Sequence, residues 1–405
     1  MTSMGLAGRC AMALMAVTTV GCSDGGETAP VGAPGDQLLA PPAEGEGLQY
    51  RLATTVEAGA EVEHCRFVQA PAEGLWVNRD LVRYSEGSHH FILFETSYDA
   101  IPTENDDGEP VDTTKVFDCS EGPSADWSIR RVIGGAQNFA GDPALQFPPH
   151  VGLHVPGGAI LLMNAHYINT NPEPLDAEVR INLYTIPEDQ VQEEGDLLFW
   201  YNIFIRVDEM AAGRATMRCD IPDDITLVNA QSHMHARGVD FEAHVVGGDS
   251  LYVTDEWEDV PVKLFGDGQG IPIPGGSQIE YRCDYESAET RTIYQGPRSS
   301  DEMCMFIGSY YPADRATSLC SADEEEPLET QFLGAEWVGN GDKSCAEAAQ
   351  CGYVAPDFET LTDCVLSAKP EVAKEVSELL VCDALRGETA LDEACKAELE
   401  ACFDG

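Results

Sequence analysis

Residues 155–167, VPGGAILLMNAHY, and residues 273–285, IPGGSQIEYRCDY, share one grammar. Each opens on an aliphatic residue, a proline and two glycines, then runs through a segment closed by tyrosine. Pro-Gly-Gly is turn chemistry, because proline presets one backbone angle and glycine supplies conformations that side chains resist. The runs behind the turns are short and rich in strand-forming residues, so each reads as a strand. Upstream of each copy lies a histidine-bearing strand, His89-His90 in the first half and His233-Met234-His235 in the second. A turn–strand unit recurring in the same company points to an all-β body made of a duplicated β-sandwich.

Outward from these copies, short alternating apolar runs separated by Gly, Pro, Asn and Asp clusters extend from about Leu48 to Gly339. The acidic, Gln-rich stretch Glu188 to Asp196 interrupts the pattern, which predicts one domain over 48–192 and a second over 193–340. Beyond Lys343 the spacing becomes helical, and cysteines stand at 345, 351, 364, 382, 395 and 402. Pro370 with Glu371 and Glu375 fits a helix start. Cys395 and Cys402 are seven apart and would share a helical face. Residues 341–405 are thus expected to form a small helical module crosslinked by three disulfides, with 15 possible pairings and no means of choosing among them. A zinc cluster is the competing reading, but the segment contains no histidine.

The chain of 405 residues carries 71 Asp+Glu against 23 Lys+Arg, a formal charge of −48. Nucleic acid is excluded as a natural partner, since a phosphate backbone would be repelled. With 43% hydrophobic residues the chain can bury substantial cores. Its 14 cysteines imply an oxidising compartment. Arg9 precedes an apolar run from Cys10 to Val20, too short to span a bilayer but suited to a signal peptide over 1–21. Thr19-Val20-Gly21-Cys22 resembles a bacterial lipoprotein cleavage box, with Cys22 as the lipidated residue and 22–47 as a disordered tether. No later segment is apolar and long enough to cross a membrane as a helix. The expectation is an extracytoplasmic lipoprotein at the periplasm or cell surface, touching the membrane only through its anchor.

Of nine histidines, four stand in the two compact groups. Imidazole is the commonest protein ligand for copper and zinc. On a strand, His233 and His235 project from one face while Met234 points away. Adjacent His89 and His90 face opposite sides unless a bulge intervenes. His166 is the natural third partner, on the strand face shared with Ile160, Leu162 and Asn164. His64, His150, His154 and His244 have no such grouping and read as structural or surface residues.

Together with Ser300-Asp301-Glu302-Met303-Cys304, His166-Tyr167 and Tyr310-Tyr311, these groups resemble, in order, the motifs of the copper type II ascorbate-dependent monooxygenases, the family of peptidylglycine α-hydroxylating monooxygenase and dopamine β-hydroxylase. The likeness covers roughly Cys65 to Gly334. It implies two jelly-roll-like domains with one copper ion each, facing one another across a cleft. His89, His90 and His166 would hold the electron-transfer copper. His233, His235 and Met303 would hold the catalytic copper, where a soft thioether favours Cu(I). The resemblance also implies bridges Cys65–Cys119, Cys219–Cys320 and Cys283–Cys304, and ascorbate or a similar small reductant as co-substrate.

Departures from the family bear on substrate. Where the peptidylglycine branch places an Arg, an Asn and a Tyr against its substrate's carboxylate, this chain has Gln231, Met305 and Ile307. An apolar or neutral small molecule is therefore a better fit than a peptide C-terminus. Asn164 stands where the family has a Gln, which leaves any electron route through that side chain without support. The expected activity is hydroxylation of a substrate C–H bond with dioxygen. The alternative is a non-catalytic copper-binding or surface-interaction protein on the same scaffold. A protein partner for the acidic C-terminal module is compatible with either and is not identified by the sequence.

Overall fold

The computed structural model describes residues 38–138, 141–320, 334–387 and 389–404. The expected signal peptide over 1–21, Cys22 and most of the expected tether fall outside the described residues. The chain is mostly β, 43% strand and 17% helix. In the first half, one sheet runs β1 (Gly47–Val56), β9 (Leu175–Thr185), β3 (Leu75–Tyr84), β7 (Val151–Val155), β10 (Glu193–Glu194). A second runs β5 (Phe117–Asp118), β2 (Glu61–Gln69), β8 (Ile160–Ile168), β4 (Ser88–Thr96), β6 (Ile129–Ala136). Apolar side chains from both, such as Leu52, Val179 and Ile181 against Phe91, Leu93 and Met163, join one buried cluster.

The second half repeats the plan. One sheet runs β18 (Lys263–Leu264), β15 (Asn229–Met234), β22 (Cys304–Tyr311), β14 (Ile225–Leu227), β19 (Ile271–Ile273), with β11 (Asp196–Tyr201) also on β22. Another runs β17 (Ser250–Thr254), β16 (Gly238–Val245), β20 (Ser277–Glu286), β13 (Ala212–Ile221), β23 (Glu336–Val338). A two-stranded pair, β12 (Arg206–Val207) with β21 (Ile293–Tyr294), stands apart. These strands bury a separate cluster around Trp200, Phe241, Tyr281 and Phe306. Leu197 joins the first cluster and Leu198 the second, and Val228, just before β15, also packs into the first.

The twin turns match in detail. Gly158 and Gly276 have φ of 76° and 78°, and Ala159 N and Ser277 N each donate to the carbonyl of the proline three residues back, at 3.1 Å. This is a type II turn, whose third position demands glycine. The strands behind the turns differ instructively. In β20, Ile279, Tyr281, Cys283 and Tyr285 point into the core, while outward Arg282 meets Glu242 at 2.8 Å. In β8 almost every residue is buried, and so it is in β15 and β22. A strand buried on both faces needs no polar alternation: β15 and β22 line the meeting of the two halves, while residues 160–163 of β8 all lie inside the first cluster. That is why residues 160–163 read ILLM while residues 279–282 read IEYR.

Among the short helices of the body, α1 (Pro123–Asp126) and α2 (Arg315–Leu319) flank this meeting. The C-terminal module contains α3 (Cys345–Gly352), α4 (Phe358–Leu366), α5 (Ala373–Leu385), α6 (Leu391–Ala394) and α7 (Lys396–Asp404). A capping box opens α3, where Ser344 N donates to the Glu347 carboxylate at 2.9 Å and Glu347 N to Ser344 Oγ at 3.4 Å. Bridges Cys345–Cys402, Cys351–Cys364 and Cys382–Cys395 hold it, and the body carries Cys65–Cys119, Cys219–Cys320 and Cys283–Cys304. Six disulfides mark an oxidising, extracellular type of compartment. No described helix is long and apolar enough to cross a membrane.

Candidate metal centre

The first histidine group is made by a slip in register. Ser88 lies opposite Tyr167, but His90 lies opposite His166, so His89 is an extra residue in β4. Such a bulge re-aims a side chain that strict alternation would send to the other face. The rings of His89 and His90 then stand with centroids 5.4 Å apart, and those of His90 and His166 5.0 Å apart. One nitrogen from each of the three falls within 4.8 Å of the others. Glu61 meets His166 Nε2 at 3.1 Å. The Nδ1 atoms of His90 and His166 are buried and have no hydrogen-bond partner among the described residues. Burial, with the neighbouring imidazoles adding to it, drives the pKa of His90 well below the ordinary histidine range, and burial takes that of His89 down to about 4. Neutral rings with unspent lone pairs are the form that binds a metal.

The second group sits on β15 and the turn after it. Gln137, at the end of β6, donates through Nε2 to the backbone carbonyl of Ser232 and, at 3.0 Å, to Gln231 Oε1. A backbone carbonyl can only accept, so the amide's orientation is fixed and its Oε1 must accept from His233 Nδ1–H at 2.7 Å. The Nε2 lone pair of His233 is therefore open. His235 reaches the same state by another route, since its Nδ1–H donates to the Asp301 carbonyl at 3.0 Å. Its Nε2 is buried without a partner among the described residues. Glu302 braces the turn, its carboxylate accepting from the backbone N–H of His235 at 3.1 Å and of Arg237 at 3.0 Å.

Met303 immediately follows Glu302, one step beyond the pairing of Met234 with Cys304 that closes the β15–β22 ladder. Its carbonyl accepts from Tyr285 Oη at 2.8 Å, and the Cys283–Cys304 bridge fastens the next residue to β20. Met303 and His233 line one cavity.

The two groups meet. The rings of His90 and His233 are 5.4 Å apart and edge to face, and those of His233 and His235 are 5.3 Å apart. Beside them a cavity of about 420 Å³ lies between the facing sheets, lined by His90, Ile92, Phe94, Val132, Asn164, Phe199, Gln231, His233, Met303, Met305 and Ile307 among others. Gln231, Met305 and Ile307 thus face this space, not a closed core. The alternation of β22 explains it, as Phe306 and Cys304 turn into the second cluster. Asn164 also lines it, donating to Glu63 at 2.8 Å. His64, His150, His154 and His244 stand elsewhere; His154, for example, stacks on Trp76 with centroids 4.6 Å apart.

Sequence reasoning passed over Gln137, Glu61 and Ser299. Glu61 accepts from Ser299 N and Ser299 Oγ, each at 2.8 Å, and so joins the first group to the loop carrying Met303. No local spacing announces such partners. Arg131 was also unforeseen on the cavity wall, but it is engaged by Glu95 at 2.9 Å, by Asp196 at 3.6 Å and by the His154 carbonyl.

Residues 208–332 match the family model of the copper type II ascorbate-dependent monooxygenase C-terminal domain. The family likeness read from the motifs is shown on that stretch. The copper monooxygenase match contains Gln231, His233, His235 and Met303, and stops short of His89, His90 and His166. No curated protein matches the chain. Among solved structures, the glycosylasparaginase PNGase F of Flavobacterium meningosepticum is 7% identical, with a TM-score of 0.30 over 64% of this chain and 95% of that one. A recombinant N-glycanase F is 8% identical, with a TM-score of 0.27 over 65% of this chain and 94% of that one. At such scores neither likeness supports an argument about fold or function.

Proposed function

We propose that the protein is an extracytoplasmic copper monooxygenase that hydroxylates a C–H bond of a small substrate other than a peptidylglycine. Its two jelly-roll-like domains, 48–192 and 193–340, would each hold one copper ion. One dioxygen, one substrate C–H, and two electrons with two protons from ascorbate or a similar reductant give one C–OH and one water. Bound copper would supply the one-electron and dioxygen chemistry that amino-acid side chains lack.

The observation that carries this reading is the pattern of spare nitrogens. Nδ1 of His90 and His166 and Nε2 of His235 are buried without partners, while the other nitrogens of His166 and His235 are engaged. Orphaned buried nitrogens are costly unless something binds them. A ligating histidine typically has its second nitrogen held by a carboxylate or carbonyl. The donor set of five imidazoles and one thioether suits copper better than zinc, for which a carboxylate or thiolate would be expected in place of Met303.

The chain's own residues would do the rest. Glu61, Gln137 and Asp301 fix ring orientation, and the facing sheets exclude water. Tyr201, whose acidity burial weakens, keeps its phenol proton on the cavity wall. A lipid tether at Cys22 is part of the proposal, and an unmodified mature N-terminus downstream of Cys22 would reject it.

Copper content and ascorbate-driven oxygen uptake test the reading. Wild type should bind two coppers, and Met303→Ala should lose at least nine-tenths of the uptake while keeping the first copper. Equal uptake would favour a copper-binding scaffold without catalysis, and fewer than two coppers in the wild type would count against both domains' sites.

A further inference from the structure

The walls and the charge of the cavity narrow what it can hold. We infer that it takes an uncharged, mainly apolar molecule carrying one hydrogen-bond acceptor, which Gln231 binds beside the imidazoles. This rests on the monooxygenase reading of the same site and goes further by naming the substrate class.

The volume comes first. At ~30 Å³ per water-sized group, about 420 Å³ accommodates roughly 14 non-hydrogen atoms. The walls come from both halves: Ile92, Phe94 and Val132 on one side, Phe199, Met305 and Ile307 on the other. Apolar surface entering such a space gains free energy in proportion to its area.

A charged ligand finds no free counter-ion. Among the described lining residues Arg131 is the one cation, and Glu95 and Asp196 already engage it. Glu121 pairs with Arg298 at 2.8 Å and is exposed. Glu63 already accepts from Asn164, and burial weakens its acidity. Enclosing an unpaired charge is costly.

Gln231 adds a polar group to this wall, and its sense is determined. Because Gln137 Nε2 occupies Gln231 Oε1, Gln231 turns its NH2 group away from Gln137, and that group has no hydrogen-bond partner among the described residues. Gln231 also lines the cavity. It therefore offers a donor and asks for an acceptor such as a ketone, ether or amide oxygen.

The test measures binding by calorimetry to the copper-loaded full-length protein, with 2-heptanone, 2-nonanone, 2-undecanone, nonanoate and nonylamine as probes. The ketones should bind, each added methylene tightening the complex about fourfold until the space is filled. Nonanoate and nonylamine should bind on the order of a hundredfold more weakly than 2-nonanone. Gln231→Leu should weaken 2-nonanone about three- to tenfold and leave the factor per methylene unchanged. Gln231→Met, close in length but without the donor, should weaken it likewise and serves if the leucine variant does not fold. The inference is overturned if no ketone binds, if chain length has no effect, if both Gln231 variants bind 2-nonanone as the wild type does, or if the amine or the carboxylate binds best. Copper content and ascorbate-driven oxygen uptake are recorded on the same samples. Their failure sinks the enzymatic reading, whereas intact copper chemistry with the wrong probe order sinks this inference alone.

Discussion

Gln137→Leu is the sharpest perturbation of the centre, because one amide from the first half holds a ring of the second. The substitution keeps a side chain of similar size but removes the acceptor for His233 Nδ1–H and the donor for both Gln231 Oε1 and the Ser232 carbonyl. Gln137, Gln231, Ser232 and His233 are all less than a tenth exposed, so water cannot readily take over. Three stranded groups at about 1–3 kcal/mol each set a stability loss of several kcal/mol, less whatever local repacking recovers. His233 has a cheaper escape than the others. It can move its proton to Nε2, which relieves nothing structural but spends the lone pair that a metal would use. The second of the two proposed coppers should therefore bind about 10–100-fold more weakly, while the one proposed for His89, His90 and His166 keeps its affinity. Competition against a chromophoric Cu(I) chelator reads both constants, and urea unfolding of the copper-free protein reads stability. Gln137→Glu restores the acceptor without the donor. It should recover most of the copper affinity but little of the stability. Wild-type affinity for both coppers in Gln137→Leu, alongside the loss in stability, would refute the reasoning and reduce Gln137 to packing between the halves.

Other outcomes follow from the same contacts. Glu61→Ala frees His166 Nε2 and releases Ser299; copper affinity of the first group should fall about 10–100-fold, and Glu61→Gln should recover part of it. Asp80 is fully buried, and burial raises its pKa to about 8 from an ordinary value near 4. Its folded form thus keeps a proton that the unfolded chain gives up, so the stability it contributes is complete below pH ~4 and lost as pH rises to ~8, on the order of 5 kcal/mol in all. Denaturant midpoints at pH 5 and pH 8.5 should show that slope in the wild type and not in Asp80→Asn. Replacing Cys345 and Cys402 together by serine opens a loop with a sequence separation of 57. The expected loss is about 4 kcal/mol on chain-entropy grounds. Copper content should not change, since the module's own small cluster is separate from the centre. An unaltered unfolding curve would mean that the bridge merely decorates an already stable module.

What could be read from the chain follows from what is local. The twin turns were legible because Pro-Gly-Gly states its own backbone geometry within four residues. The bulge at His89 was legible in principle, since two adjacent histidines cannot share one strand face without it. His233, His235 and Met303 came from motif order, and the ladder register joining β15 to β22 explains why His233 and Met303 line one cavity. Gln137 was invisible because its partner His233 lies 96 residues away, and a lone glutamine carries no spacing signal. Glu61 and Ser299, 238 residues apart, were hidden for the same reason. The tail's pairing was hidden too, because six cysteines on short helices leave it to packing.

The orienting contacts also bear on how the two halves depend on each other. Gln137 of the first half sets the tautomer of His233 in the second. Glu61 of the first half grips Ser299, next to the loop whose Asp301 carbonyl holds His235. The second group's rings are thus oriented partly from outside their own sheet. If the facing sheets separated, His233 Nδ1–H would turn to water and lose its fixed partner, and nothing on β15 replaces it among the described residues. The first group is less exposed to such a change, since the bulge of β4 and the register of β8 lie within one sheet. Opening the halves should accordingly cost the second site its order before the first. An ordered second site is then itself a sign of closure, and closure also completes the apolar walls and, on the proposed reading, would keep water from the reacting centre.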